Sequence, residues 1–377
     1  MDLAGAINRL TARWAAEHTA GSTVFSGAGA WPLLAFLAEA ADGAARAELE
    51  DAIGVPAARG AEAGRAALEL MASIPAVRAA LGLWTRPGLP VRDAWLATLP
   101  SGAHGTLTGQ AALDAWADEH TGGLIPRMPI DLDDDVLLVL ATALAVRTTW
   151  DVPFDERGGS LTSGPWAPAR PKLITRMTRE PADVRRADTP GGPLTLIRVA
   201  GDGDLDVHLV IGAEDRSPGS VLADGIAALS GPQTPAPGFT ESPGVSITKA
   251  RSSQRHDRVS LTLPPFEVRA THDLLGIPGT MGLGAASDPS HGHFSAISAD
   301  VPLYIAQAQQ SALARFQTKG FEAAAVTAVA ASRAMAVRPA HRVHHVEAVL
   351  SHPFATLAVH RPTGLVLTAT WLAEPSG

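Results

Sequence analysis

At 377 residues the chain exceeds the size of an ordinary single core, and its 46% apolar and 18% charged content describes a globular protein rather than a disordered one. A net charge of −8 with no lysine- or arginine-rich run excludes a nucleic-acid binder. The absence of cysteine excludes disulfides, thiolate catalysis and cysteine-ligated metal. Lysine stands only at Lys172, Lys249 and Lys319. Arginine therefore supplies the other 27 of 30 basic residues, and with so much Ala, Gly and Pro the composition is that of a GC-rich bacterial genome.

Leu3, Ile7, Leu10 and Trp14 recur at helical spacing. Asp2 follows Met1 directly, and Arg9 and Arg13 interrupt any apolar core, so the start does not read as a signal peptide. The expectation is a cytoplasmic protein, or one exported by an unrecognised route. No uncharged stretch reaches membrane-spanning length. Residues 31–52 read as a helix with Pro32 in its first turn. Further helices are expected over 62–80 and 110–121, the latter closed by Gly122-Gly123. The apolar run 136–147 suits a central strand buried on both faces, or a buried helix. Strands are expected at 194–200, 205–212, 258–263, 266–270, 302–307, 354–360 and 364–371. The last two flank the turn Arg361-Pro362-Thr363-Gly364. Helices first and strands later give an α+β class with large sheets.

Enzyme motifs are missing. Gly158-Gly-Ser160-Leu-Thr162 fails as a nucleophile elbow at its last position. Gly282-Leu-Gly284-Ala-Ala-Ser287 lacks a third glycine and a preceding strand, so it does not cradle phosphate. His341, His344 and His345 form the densest histidine group. His341 and His344 have metal-ligand spacing if helical, while a solvated loop carrying histidines is the plainer reading. His291 and His293 lie in a Ser/Gly/Asp/Pro loop. The expectation is a protein that is not an enzyme and needs no cofactor and no metal.

Residues 319–331, Lys-Gly-Phe-Glu-Ala-Ala-Ala-Val-Thr-Ala-Val-Ala-Ala, are the most unusual segment. After Glu322 come nine small or β-branched residues without charge or proline. That suits a strand at the centre of a sheet, and equally a buried Ala-rich helix. As a strand it would turn Phe321, Ala323, Ala325, Thr327, Val329 and Ala331 one way and Glu322, Ala324, Val326, Ala328 and Ala330 the other. The only charge then lies on one face, and the opposite face can be buried.

From near residue 20 to residue 375 the chain resembles a serpin. Leu113–Ile125 resembles the helix ending "W…T-N-G-x-I", and Leu138–Phe154 the central strand with the tryptophan at its top, here Trp150. Leu263-Pro-Pro-Phe266, Thr271–Leu275, Met281-Gly282 and Phe294-Ser-Ala-Ile-Ser298 resemble "L-P-x-F … Y-D-L … M-G … F-S-x-I-S". His352-Pro-Phe354 with Pro362-Thr-Gly364 resembles "H-P-F … P-T-G".

The resemblance implies an α+β fold in one large domain over 1–377, with N-terminal helices, three β-sheets and an exposed reactive-centre loop over about 320–350. Gly320, Phe321, Glu322, Ala323, Ala324, Ala325 and Thr327 would be the inhibitory hinge. It further implies a monomeric suicide inhibitor. A serine protease cleaves the loop and forms an acyl-enzyme, and the freed loop inserts into the large sheet. A non-inhibitory member acting as carrier, chaperone or protease substrate is the alternative. Counting fifteen residues from Gly320 gives the reactive bond Ala334-Met335, suiting elastase-like or subtilisin-like proteases. A register one shorter makes it Arg333, suiting trypsin-like ones. Departures from the family are Phe321 in place of Thr or Ser, Gly27 in place of Pro, and a longer stretch before His352. Where the sheet parts, Ser26 is kept, while Gly29, Thr142 and Gln310 replace the commoner residues.

Overall fold

In the computed structural model, residues 2–130, 132, 136–230, 240–252, 255–321 and 341–375 are described. The first helix, Leu3–Ala16, is amphipathic: Ile7, Leu10 and Trp14 are buried, and the Asp2 carboxylate caps the Gly5 N–H at 2.8 Å. The second helix, Gly27–Ala40, is apolar all round, as befits a helix buried on every side. It packs on the strand Leu365–Leu372 on one side and on Leu138–Val146 on the other.

The single helix expected over 31–52 is two, Gly27–Ala40 and Gly43–Ile53. Ala41 turns extended, and the Asp42 carboxylate accepts from the Ser295 N–H at 2.8 Å, holding a distant loop at the break. Pro32 thus lies in the second turn, not the first. Likewise the helix expected over 62–80 stops at Ala72, and Val77–Thr85 is a strand. Pro75 supplies the break, since the residue before a proline is pushed out of the helical region. The helix Gln110–Thr121 ends as expected, with Gly122 left-handed at φ 62°.

Four hydrogen-bonded ladders follow among the described residues. A six-stranded sheet orders 23–25, 365–372, 354–360, 205–211, 192–200 and 184–189. Its strands Leu205–Ile211, Phe354–His360 and Leu365–Leu372 are buried at every residue, so they read as continuous rather than alternating apolar runs. The turn between the last two closes with the Gly364 N–H on His360 O at 2.8 Å. A five-stranded sheet orders 245–252, 341–349, 258–263, 173–178 and 155–157.

The two remaining sheets bring the number among the described residues to four, where three were expected. One orders 104–106, 77–85 and 138–146; the other orders 266–273, 309–316, 320–321 and 148–149. Leu138–Val146 and Thr148–Thr149 are one run of chain, separated only by Arg147. Residues 302–307, expected as a strand, join no ladder among the described residues. His293 N–H bonds to Leu303 O and Ile305 N–H to Ala286 O, so loops take their polar groups and the strand begins at Gln309.

Candidate functional site

Leu138–Val146 alternates. Val139 and Ala141 pack with Trp84, Leu113 and Met128 into a small core beneath the helix Gln110–Thr121. Leu138, Leu140, Thr142 and Leu144 face the other way and are only partly covered. One edge of this strand pairs with Val77–Thr85 along its whole length. Its other edge faces Gln309–Phe316, and among the described residues no ladder joins the two. Between them lies a cavity of about 280 Å³, lined by Leu138, Leu140, Thr142, Ala308, Gln310 and, from behind, Leu34.

Both walls of this gap are tied to the N-terminus of Gly27–Ala40. From one wall, the Gln310 amide spans the Ser26 backbone: Ser26 N–H donates to Oε1 at 2.8 Å, and Nε2 donates to Ser26 O at 2.9 Å. From the other, Thr142 Oγ1 donates to Gly29 O at 2.5 Å. Ser26 Oγ caps the Gly29 N–H at 2.9 Å and donates to Leu367 O at 2.5 Å, which fixes the helix end to the six-stranded sheet. A Cβ on Gly29 would lie 3.4 Å from both Gln310 Nε2 and Ser26 Oγ, so Gly29 leaves just the room these bonds occupy. The structure thus brings Ser26, Gly29, Thr142 and Gln310 into one hydrogen-bonded group.

Above the gap the sheet is closed. Gly320–Phe321 forms a two-residue strand between Phe316 and Thr148–Thr149, antiparallel to both: Phe316 faces Phe321, Gly320 faces Thr149 and Phe321 faces Thr148. The Gln317 N–H bonds to Gly320 O at 3.0 Å, turning the chain back after Phe316. Phe321 is 1% exposed and belongs to the main core. Trp150 sits beside it. Its N–H donates to Lys319 O at 2.9 Å, its Nε1 donates to Gln317 O at 2.9 Å, and its ring lies 4.7 Å from that of Phe316. Phe154 N–H holds Thr318 O at 2.7 Å, and the Arg176 guanidinium lies 5.1 Å over the Phe154 ring. Burial lowers the Arg176 pKa to about 10.

Glu322, Ala323, Ala324, Ala325, Thr327, Arg333, Ala334 and Met335 lie outside the described residues. The loop expected over about 320–350 is narrower at both ends. Gly320–Phe321 is strand, and so is His341–Val349. The second of these is wedged between Val245–Ser252, antiparallel over eight pairs, and Arg258–Leu263, parallel over five. Its alternation of Val343, His345 and Glu347 with Arg342, His344 and Val346 lacks a clean apolar face, which hid it. Being extended, it sends His341 and His344 to opposite faces. His344 instead donates its backbone N–H to Asp257 Oδ1 at 2.6 Å, and His345 Nε2 lies 3.1 Å from Ser260 Oγ.

Sequence reasoning placed a turn between the strands 194–200 and 205–212 but missed what it docks on. Asp202 Oδ1 accepts from Thr148 Oγ1 at 2.7 Å and from Thr149 N–H at 2.9 Å, on the flank of the closed rung. The Gly-Asp-Gly-Asp run of 201–204 signals a turn, but nothing local signals where it docks.

The serpin family model, described as "Serpin (serine protease inhibitor)", matches residues 7–161 and 238–375. Plasminogen activator inhibitor 2 of Homo sapiens is 23% identical over 258 residues, covering 68% of this chain and 58% of that protein. Plasminogen activator inhibitor 1 of Sus scrofa is 25% identical over 276 residues, covering 70% and 61%. The chain thus spans about three fifths of the length of the curated relatives it matches. Among solved structures, a serpin from the trematode Schistosoma haematobium superposes with a TM-score of 0.70 at 15% identity, covering 100% of both chains. Human thyroxine-binding globulin in complex with its hormone gives 0.70 at 16% identity, again covering 100% of both. The family match and the fold lead to one statement of kinship: this chain belongs to the serpin family.

Proposed function

We propose that the protein is a suicide-type inhibitor of serine proteases, and not itself an enzyme, acting as a monomer built as one domain. The observation that carries this reading is the Gly320–Phe321 strand, antiparallel to both neighbours at the top of an otherwise open gap. A chain leaving Phe321 downward meets two strand edges that, among the described residues, no ladder occupies. Keeping the same register, Ala323 falls between Val146 and Ala314, Ala325 between Leu144 and Ala312, and Thr327 between Thr142 and Gln310. The residues turned toward the partly covered face are then Ala323, Ala325, Thr327, Val329 and Ala331, all small or β-branched. Glu322 turns the other way. Every added pair satisfies backbone groups that the open gap leaves to water.

Hence a protease that opens Ala334-Met335 releases a strand that fits the gap while the enzyme is still esterified to Ala334. Insertion carries the acyl-enzyme to the far end of the sheet before water can deacylate it. The uncut chain is the higher-energy form, held by a barrier. Small Ala334 suits elastase-like or subtilisin-like enzymes, and Arg333 trypsin-like ones should the register be one shorter. Phe321 adds no delay on this reading, because its ring is buried before cleavage.

The second reading, a non-inhibitory carrier of an apolar ligand, is favoured by one observation, the largely apolar walls of the gap. Incubation with elastase, subtilisin and trypsin followed by a denaturing gel separates the two. A band at the summed mass of protease and chain supports inhibition. Complete cleavage without such a band against all three overturns it and leaves the second reading.

A further inference from the structure

Widening the gap enough to admit a whole strand requires Leu138–Val146 to move away from Gln309–Phe316, yet the rung above must stay closed if the hinge is to enter in register. Something has to hold Thr148–Thr149 still. Among the described residues, its hinge side pairs with Gly320 and Phe321. Its other side meets the turn between the strands Gly192–Ala200 and Leu205–Ile211.

That contact is dense. Asp202 Oδ1 accepts from both Thr148 Oγ1 and Thr149 N–H, Asp202 N–H donates to Thr149 O at 3.0 Å, and Thr148 Oγ1 also lies 3.0 Å from Asp202 O. Asp151 N–H donates to Ala200 O at 3.1 Å, and Trp150 bridges Gly201. The approach needs glycine: a Cβ on Gly201 would lie 2.3 Å from Thr148 Oγ1 and 3.1 Å from Thr149 O. The turn is itself immobilised. Arg361 Nη2 donates to Gly201 O at 3.2 Å and to Asp206 Oδ1 at 2.8 Å, while Arg361 N–H donates to Asp204 O at 2.9 Å. Thus the turn is welded to the six-stranded sheet, and through Asp202 so is the rung.

We propose that Asp202 is a positioning residue for loop insertion: it clamps Thr148–Thr149 to the six-stranded sheet, so that the rung holding Gly320–Phe321 stays fixed while the strand below Arg147 swings away. The carboxylate grips a segment that ends one residue beyond the break between Val146 and Thr148, which makes Arg147 the pivot. Because Asp202 is solvent-exposed while Thr148 is buried, the clamp is closed by geometry rather than by a buried charge. Its consequence for inhibition rests on the reading above; its effect on the hinge does not.

The test uses Asp202→Ala, Asp202→Asn and Thr148→Val in the full chain. Asparagine keeps the accepting Oδ1 and valine removes one donor at constant shape. The reporter is hydrogen exchange at the Trp150 amide, which donates to Lys319 O and so reads whether the hinge is held. Asp202→Ala is expected to speed that exchange at least tenfold in the uncut protein and Thr148→Val to speed it less, with Asp202→Asn near wild type. After loop cleavage the difference should vanish, since an inserted strand holds the rung by itself. With a protease that forms the covalent complex, Asp202→Ala should shift the products several-fold from complex toward cleaved chain, and Asp202→Asn should restore them. Unchanged Trp150 exchange in Asp202→Ala overturns the clamp. So does fast exchange that persists after a cleavage that also raises the melting temperature, the sign that a strand has been added; fast exchange without that rise counts against insertion and leaves the clamp to the uncut protein. If wild type forms no complex with any protease, the inhibitory reading falls, while the exchange result still decides the clamp. Should Asp202→Ala fail to fold, Thr148→Val alone decides, through the same amide.

Discussion

Phe321 is the residue at which sequence and structure part most usefully. In sequence it is a departure, a ring in place of Thr or Ser; in the fold it is already inside, 1% exposed and paired on both edges. Burying such a ring stabilises the closed rung by about 2 kcal/mol. Phe321→Asp should therefore unseat the hinge, because a carboxylate there would be buried in the main core. The expected outcome is a chain that proteases still cut but do not become trapped by, read as loss of the covalent band with cleavage retained. His208 offers a separate test of the frame. It is buried in the strand Leu205–Ile211, and burial lowers its pKa to about 4, with Arg185 and Arg198 adding to the effect and Asp206 opposing it. The folded state thus prefers the neutral ring, and the unfolded state binds the extra proton. The stability it supports is full above pH ~6.5 and is lost as the pH falls toward about 4. The size is on the order of 3 kcal/mol. Thermal unfolding at pH 7 and pH 5 should show a smaller acid loss in His208→Leu than in wild type; equal losses would remove His208 from the account.

Among the elements, those whose own residues decide their shape were legible. The helix 110–121 with its glycine stop and the apolar strands around 205–211 and 354–372 follow from period, punctuation and length, whereas the run 136–147 left strand and buried helix open and is a strand buried on one face rather than two. Elements whose shape is set by a distant partner were not. Val77–Thr85 hides behind a helix-like run because its ladder partner is sixty residues on. His341–Val349 carries polar side chains on both faces, and only its ladder partners on both edges reveal it as a strand. The gap itself was readable only from the other direction, as a segment too slim and uncharged for a loop. Its joint group was named by resemblance, yet the bonds that make it work, Gln310 to the Ser26 backbone and Thr142 to Gly29, are matters of geometry. Those bonds give a prediction at this scale. Gln310→Ala removes a two-pronged tie across one wall and should lower the stability of the uncut chain by about 1–3 kcal/mol. Thr327→Arg should leave the uncut chain unaffected but block the register that sets this residue between Thr142 and Gln310, so that cleavage no longer raises the melting temperature.

At the scale of the whole molecule, the proposed reading makes the gap between Leu138–Val146 and Gln309–Phe316 a place for one more strand, with the segment after Phe321 as the strand that would fill it. If loop and gap are complementary, cutting near Ala334 must release free energy that the intact loop cannot reach. Ten or so residues then gain partners on two edges and cover Leu138, Leu140 and Leu144. A gain of several kcal/mol corresponds to a rise in melting temperature on the order of 10 °C. An unchanged value after clean cleavage means that no strand is added, and the carrier reading then prevails. Where the cut falls decides the target. The register from Gly320 to Thr327 shows no sign of a deletion, so the expected bond is Ala334-Met335. Mass analysis of the peptide released from a complexed sample should give a fragment beginning at Met335. One beginning at Ala334 would place Arg333 at the reactive position and turn the search toward trypsin-like proteases. The two outcomes also differ in how far the esterified enzyme travels. With Phe321 as a rung fixed before cleavage, each residue between it and the cut adds about 3.3 Å of strand. A reactive residue at 334 therefore carries the protease one residue further along the sheet than one at 333. Both lengths exceed that of the strand Leu138–Val146, so either register takes the acyl-enzyme past the end of the gap.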